Sequence, residues 1–122
     1  MVVKDAIAYL KSKNPSTKVL VAVGGATYQN FAALNTKAIA DVVKDFGFDG
    51  VDIDYEPFNN GQCSSSNGQV TCTTDAEYRR IVNEIRQALP RPYLVTVAAW
   101  SIGAWKKPKM ALIKSKGYTS AL

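Results

Sequence analysis

The segment Asp49-Gly50-Val51-Asp52-Ile53-Asp54-Tyr55-Glu56 constrains this chain more than any other. Apolar and acidic residues alternate with period two, which predicts a β-strand running from Gly50 to Glu56 and stopped by Pro57. Successive side chains of a strand point to opposite faces. Val51, Ile53 and Tyr55 therefore share one face, and Asp52, Asp54 and Glu56 share the other. A solvated edge strand accounts poorly for the pattern, because such a face would mix its polar residues with Lys or Thr. Three carboxylates in a row on a covered face cannot all stay ionised cheaply, so at least one pKa is pushed up. A carboxyl that keeps its proton near neutral pH can act as a general acid. A divalent-metal site for phosphoryl transfer is the rival use of the same acids. Val23-Gly24-Gly25-Ala26-Thr27, however, has neither the GxGxxG nor the GxxxxGK pattern of phosphate loops.

The rest of the chain predicts where that strand sits. Val2, Val3, Ala6, Ile7 and Leu10 recur at helical spacing until Asn14-Pro15. Val19 to Val23 is a continuous apolar run ended by Gly24-Gly25, which reads as a strand buried on both faces. Phe31, Leu34, Ala38, Ile39, Val42, Val43 and Phe46 form one helical stripe with Gly47 as its C-cap. After the acidic strand comes a polar stretch from Asn59 to Thr73, read as a loop. Thr74-Asp75-Ala76-Glu77 then reads as a capping box, opening a helix with Tyr78, Ile81, Val82, Ile85 and Leu89 on one face. Tyr93 to Ala99 is a third strand-like run. The order α-β-α-β-α-β predicts parallel strands joined by helical crossovers, an α/β architecture. In such sheets ligands gather at the C-terminal ends of the strands, where Glu56 stands.

Composition narrows the chemistry. The 122 residues contain no histidine, which excludes Ser-His-Asp and Cys-His catalysis and histidine metal ligation. No cofactor or metal is called for. No apolar run reaches the roughly 20 residues of a spanning helix, and no signal-peptide pattern opens the chain. The net charge of +5 comes from Lys106, Lys107, Lys109, Lys114 and Lys116, since residues 1–104 balance. A basic tail of that kind argues against a nucleic-acid-binding face. Residues 105–122 are expected to form a poorly packed tail outside the domain of residues 1–104. Cys63 and Cys72 bracket a Ser/Asn/Gly-rich stretch, the pattern of a local disulfide rather than of buried thiols. A bridge there implies an oxidising compartment and an extracellular parent protein.

Asp49-x-x-Asp52-x-Asp54-x-Glu56 resembles the D-x-x-D-x-D-x-E signature of glycoside hydrolase family 18, the chitinases and related endo-N-acetylglucosaminidases. Ala22-Val23-Gly24-Gly25 resembles that family's S-x-G-G motif, with Ala22 in place of the usual serine. The resemblance implies a partial (β/α)8 barrel, a parallel βαβαβ segment covering about strands three to five. It implies substrate-assisted, retaining hydrolysis of chitin or chito-oligosaccharides. In that scheme Glu56 protonates the glycosidic oxygen, Asp54 orients the acetamido group, Asp52 shares a proton with Asp54, and Asp49 is structural. Gly24 and Gly25 would lie against the sugar. Trp100 follows a strand and reads equally as sugar platform and as packing, whereas Tyr55 and Phe31 read as packing. A chitinase-like lectin, binding amino sugars without cleavage, is the alternative. Three strands alone would leave the acidic row in water, which would relax the stress that raises a pKa.

Overall fold

A computed structural model of the chain describes residues 2–28, 30–57, 63–67 and 69–98. Helix α1 (Val2–Lys13) leads into strand β1 (Leu20–Gly24). A single 3-10 turn (Phe31–Ala33) precedes helix α2 (Thr36–Phe46) and strand β2 (Gly50–Asp54). Strands β3 (Cys63–Ser66) and β4 (Gln69–Cys72) form a separate antiparallel pair. Helix α3 (Asp75–Ala88) and strand β5 (Leu94–Val97) follow. The main sheet is parallel in the order β1-β2-β5, so β2 is the central strand. This is the α/β arrangement expected, and it matches a segment of a (β/α)8 barrel. Among the described residues no helix is long and apolar enough to cross a membrane.

The core lies on one side of this sheet. Val51 and Ile53 of β2 and Val95 of β5 are buried against Ala40 and Val43 of α2 and Ile81 and Ile85 of α3, with Leu89 and Phe31 closing the cluster. Each such side chain contributes roughly 1.5–3 kcal/mol of gross burial. Asp52 and Asp54, on the other face of β2, are half-buried. The alternation read from the sequence thus separates core from acids.

Several local expectations are corrected. The stripe from Phe31 to Phe46 is not one helix. Asn35 interrupts it, its side chain accepting the Ala38 N–H at 3.0 Å and capping α2, which leaves Phe31 on its own short turn. Gly47 does cap the other end, in the left-handed region at φ 79°. Strand β1 is not buried on both faces. As an edge strand it is only partly covered, so Val21 and Val23 are half-buried beside an apolar groove shared with Ala38, Ile39 and Val42, and Ala22 is exposed. Of the apolar stripe on α1, Ile7 is buried whereas Val2, Val3 and Leu10 are exposed. Thr74 makes no side-chain cap, so no capping box forms. Asp75 accepts the Cys72 N–H at 2.8 Å, and Glu77 is engaged by Tyr55. The stretch read as a loop holds the β3–β4 hairpin, whose register sets Cys63 opposite Cys72. Cys72 is disulfide-bonded, and Cys63 is the chain's one other cysteine. The boundary at residue 104 and the lysine-rich tail lie outside the described residues.

Asp49 joins three elements just before β2. Its Oδ2 accepts the Val19 N–H at 2.8 Å, its Oδ1 accepts Lys11 Nζ at 3.0 Å, and Lys18 lies 3.9 Å away. Lys11 also donates to the Gly47 carbonyl, so α1, the entry to β1 and the entry to β2 meet at one carboxylate. Burial pushes the Asp49 pKa up, but the Val19 N–H and the two lysines outweigh it and hold it below the ordinary value. A depressed carboxyl pKa stabilises the fold above the ordinary carboxylate range, and that contribution drains away as pH falls through the folded value. Asp49→Asn is therefore expected to lower stability by about 1–2 kcal/mol at pH 7. Denaturant titrations at pH 7 and pH 3 check this, since the deficit should shrink at the lower pH. An equal deficit at both would assign the loss to shape rather than charge.

Candidate active site

The exit of β2 brings most of the sequence-predicted residues together. The strand ends at Asp54 rather than at Glu56, so Glu56 lies just beyond it, exposed and on a less regular backbone. Its carboxyl nevertheless shares a hydrogen bond with Asp54. The Asp54 charge, then that hydrogen bond, then a small desolvation push the Glu56 pKa above the ordinary glutamate value. Exposure therefore does not erase the stress, contrary to expectation, because its main source is a neighbouring charge rather than burial.

Asp52 sits one pleat earlier, deeper in the sheet. The Thr96 hydroxyl of β5 donates to its Oδ1 at 2.6 Å. Thr96 is Asp52's register partner on one side and Ala22 is its partner on the other, so the three lie in one row across the sheet. Sequence reasoning missed Thr96. The signal was its place in the β-branched run Val95-Thr96-Val97, where a threonine between two valines must face away from their side of the sheet.

Gly24 and Gly25 wrap the same strand end. Gly24 pairs with Asp54 and has φ 119°, a conformation an L side chain rarely adopts. A Cβ there would lie 2.1 Å from the Asp54 carbonyl oxygen and 2.8 Å from the Phe31 ring. The Gly25 N–H donates to the Asp54 carbonyl at 2.8 Å, and a Cβ at Gly25 would stand 3.6 Å from the Asp54 carboxylate. The two glycines let β1 close tightly on the backbone of Asp54 and keep space beside its side chain.

Tyr55 points to the helix side. Its ring meets Phe31 edge-on at 5.1 Å and Tyr78 at 5.5 Å, and its hydroxyl donates to Glu77 Oε2 at 2.8 Å. Arg80 of the same helix donates to the Phe31 carbonyl at 2.9 Å. The residue between Asp54 and Glu56 is thereby tied to α3. Asp49 lies at the opposite end of β2 and takes no part in this cluster. Trp100 lies outside the described residues. Among the described residues no three of Cys, Asp and Glu converge as a metal cage requires. The arrangement offers a carboxyl with a raised pKa just past a strand end, a second carboxyl beside it and a third held by Thr96 behind them.

If the Asp54 charge is the main cause of the Glu56 shift, Asp54→Asn should bring Glu56 back toward the ordinary value. Carboxyl-carbon NMR across an acid titration reads this directly. A Glu56 curve unchanged by the substitution would point to another cause.

The family model for glycosyl hydrolases family 18 matches residues 3–116. The chain is 32% identical over 99 residues to a chitinase of Plasmodium falciparum (isolate 3D7), covering 78% of this chain and 25% of that protein. It is 31% identical over 118 residues to chitinase B of Serratia marcescens, covering 79% of this chain and 22% of that protein. The chain thus spans about a quarter of the length of the curated relatives it matches. With the D-x-x-D-x-D-x-E acids on and beside the central strand of a parallel α/β sheet, the chain belongs to glycosyl hydrolases family 18.

Proposed function

We propose that these residues form the acid-bearing part of a chitinase-type glycosidase that cleaves β-1,4-linked N-acetylglucosamine polymers with retention. The observation that carries the reading is the Glu56–Asp54 pair at the strand exit, where charge repulsion makes Glu56 hold its proton to higher pH than an ordinary glutamate. That is the direction a general acid needs. Glu56 protonates the glycosidic oxygen as the bond to the anomeric carbon breaks. The acetamido carbonyl oxygen of the same sugar attacks that carbon, forming an oxazolinium ion. Asp54 orients the acetamido group and offsets its developing positive charge, and Asp52 takes up the proton that Asp54 exchanges. Water then opens the ring, with Glu56 now acting as base. The substrate supplies the nucleophile, so no second carboxylate needs to lie at the spacing of about 5–5.5 Å typical of retaining pairs.

We further propose an extracellular setting, supported by the disulfide at Cys72. The 122-residue chain alone is expected to be inactive. Among the described residues the sheet leaves β1 and β5 as open edges, and no wall faces Glu56 to hold a sugar in place.

Two measurements test this. In a complete family 18 barrel carrying residues 2–98 as its corresponding segment, Glu56→Gln should lower kcat by about 10²- to 10⁴-fold while chito-oligosaccharide binding persists. Near-normal turnover would remove Glu56 from the mechanism, and binding without turnover in the unmutated barrel would favour the lectin reading. For the chain alone, release of fluorophore from a chitobiose glycoside, lost on Glu56→Gln, would show that these residues suffice.

A further inference from the structure

We infer that Thr96 is a positioning residue for the acidic row, its hydroxyl holding the Asp52 carboxylate from the β5 side. This rests on the proposed hydrolase reading for its purpose, but not for its geometry.

The row Ala22–Asp52–Thr96 is fixed by the parallel register on both sides of β2. From β1 only the methyl of Ala22 faces Asp52, and a methyl can accept or donate nothing. From β5 the Thr96 hydroxyl donates to Oδ1 at 2.6 Å. That length lies at the short end of the range for hydroxyl-to-oxygen hydrogen bonds. It anchors the carboxyl group of Asp52 through Oδ1. A β-branched threonine on a strand has few rotamers, so the donor is held before any substrate arrives. On this face β1 presents Ala22 and Gly24 and β5 presents Thr96. Neither flanking strand brings a charged side chain to this row, and the nearest acid of its own strand on the same face is Asp54. Among the described residues Thr96 is therefore the side chain on a neighbouring strand that holds Asp52 in place.

The test is a carboxyl-carbon NMR titration of the 122-residue chain labelled at Asp and Glu, read on the first deprotonation of the row. Thr96→Val keeps the β-branched shape and removes the donor, and should move that step to higher pH. Thr96→Ser keeps the donor and should titrate with the unmutated protein. Ala22→Ser/Thr96→Val places a hydroxyl on the opposite register partner and should move the step back down. The proposal fails if Thr96→Val titrates like the unmutated protein, or if Thr96→Ser shifts as far as Thr96→Val. Should the amide spectrum show that Thr96→Val does not fold, Ala22→Ser alone decides: a second donor should lower the step, and no change overturns the proposal. In the complete barrel, Thr96→Val should lower kcat by about tenfold with KM unchanged, the mark of a misplaced group rather than lost binding. The titration needs no substrate. A barrel without hydrolytic activity would therefore sink the hydrolase reading, while the role of Thr96 would still stand or fall by the titration.

Discussion

Everything in this structure hangs on the pleat of β2. One strand must serve two incompatible solvents, and it does so by sending alternate residues to opposite faces. Val51 and Ile53 have essentially no exposure, while Asp52 and Asp54 between and after them remain half-buried on the other side. A slip of one residue would drive two carboxylates into the cluster of Val43, Ile81 and Ile85, where unpaired charge is costly, and would expose the apolar pair. The register is thus specified by the contrast between neighbours rather than by hydrophobicity alone. Asp49 reinforces it from the entry side. By accepting from Val19 and Lys11 it fixes where β2 begins relative to β1, and Ala22 and Gly24 then fall opposite Asp52 and Asp54.

How much of this was legible follows from what each element relies on. The three parallel strands and the helices α2 and α3 announce themselves because burial requires periodic apolar residues, and Val51, Ile53, Val43, Ile81 and Ile85 all obey the period. Elements that rely on backbone hydrogen bonds stayed hidden. The hairpin of β3 and β4 is built from Ser and Thr around Asn67, whose φ of 50° marks the turn, and it shows no apolar alternation. The Asn67-Gly68 dipeptide was the one available cue. The capping box failed for a different reason. Glu77 had a stronger demand on it from Tyr55, a residue 22 positions earlier that no local pattern could connect to it.

The site shows the same division. The identities of Asp52, Asp54 and Glu56 follow from alternation alone, but their supports come from other strands and helices. Thr96 reaches Asp52 across 44 positions, Gly24 and Gly25 press on Asp54 from β1, and α3 holds Tyr55. Asp52 and Asp54 are therefore positioned by different strands, and the residue between Asp54 and Glu56 by a helix. Side chains that merely need to be acidic can be read from one segment, whereas the groups that hold them still are scattered by the topology.

That division also explains how Glu56 keeps a raised pKa while exposed. Burial would need walls that the described residues do not supply, but repulsion needs only a fixed neighbour. Asp54 is fixed at the strand end by the close approach of Gly24 and Gly25, and Tyr55 is clamped to α3, so the chain between the two carboxyls cannot easily swing them apart. The direction of the shift is set by this local tether, before any substrate or opposing wall is present. Its size depends on the medium, because the same two charges repel more strongly as water is excluded. Anything that excludes water from this face would therefore deepen the preference of Glu56 for its proton, with Asp54 still the cause.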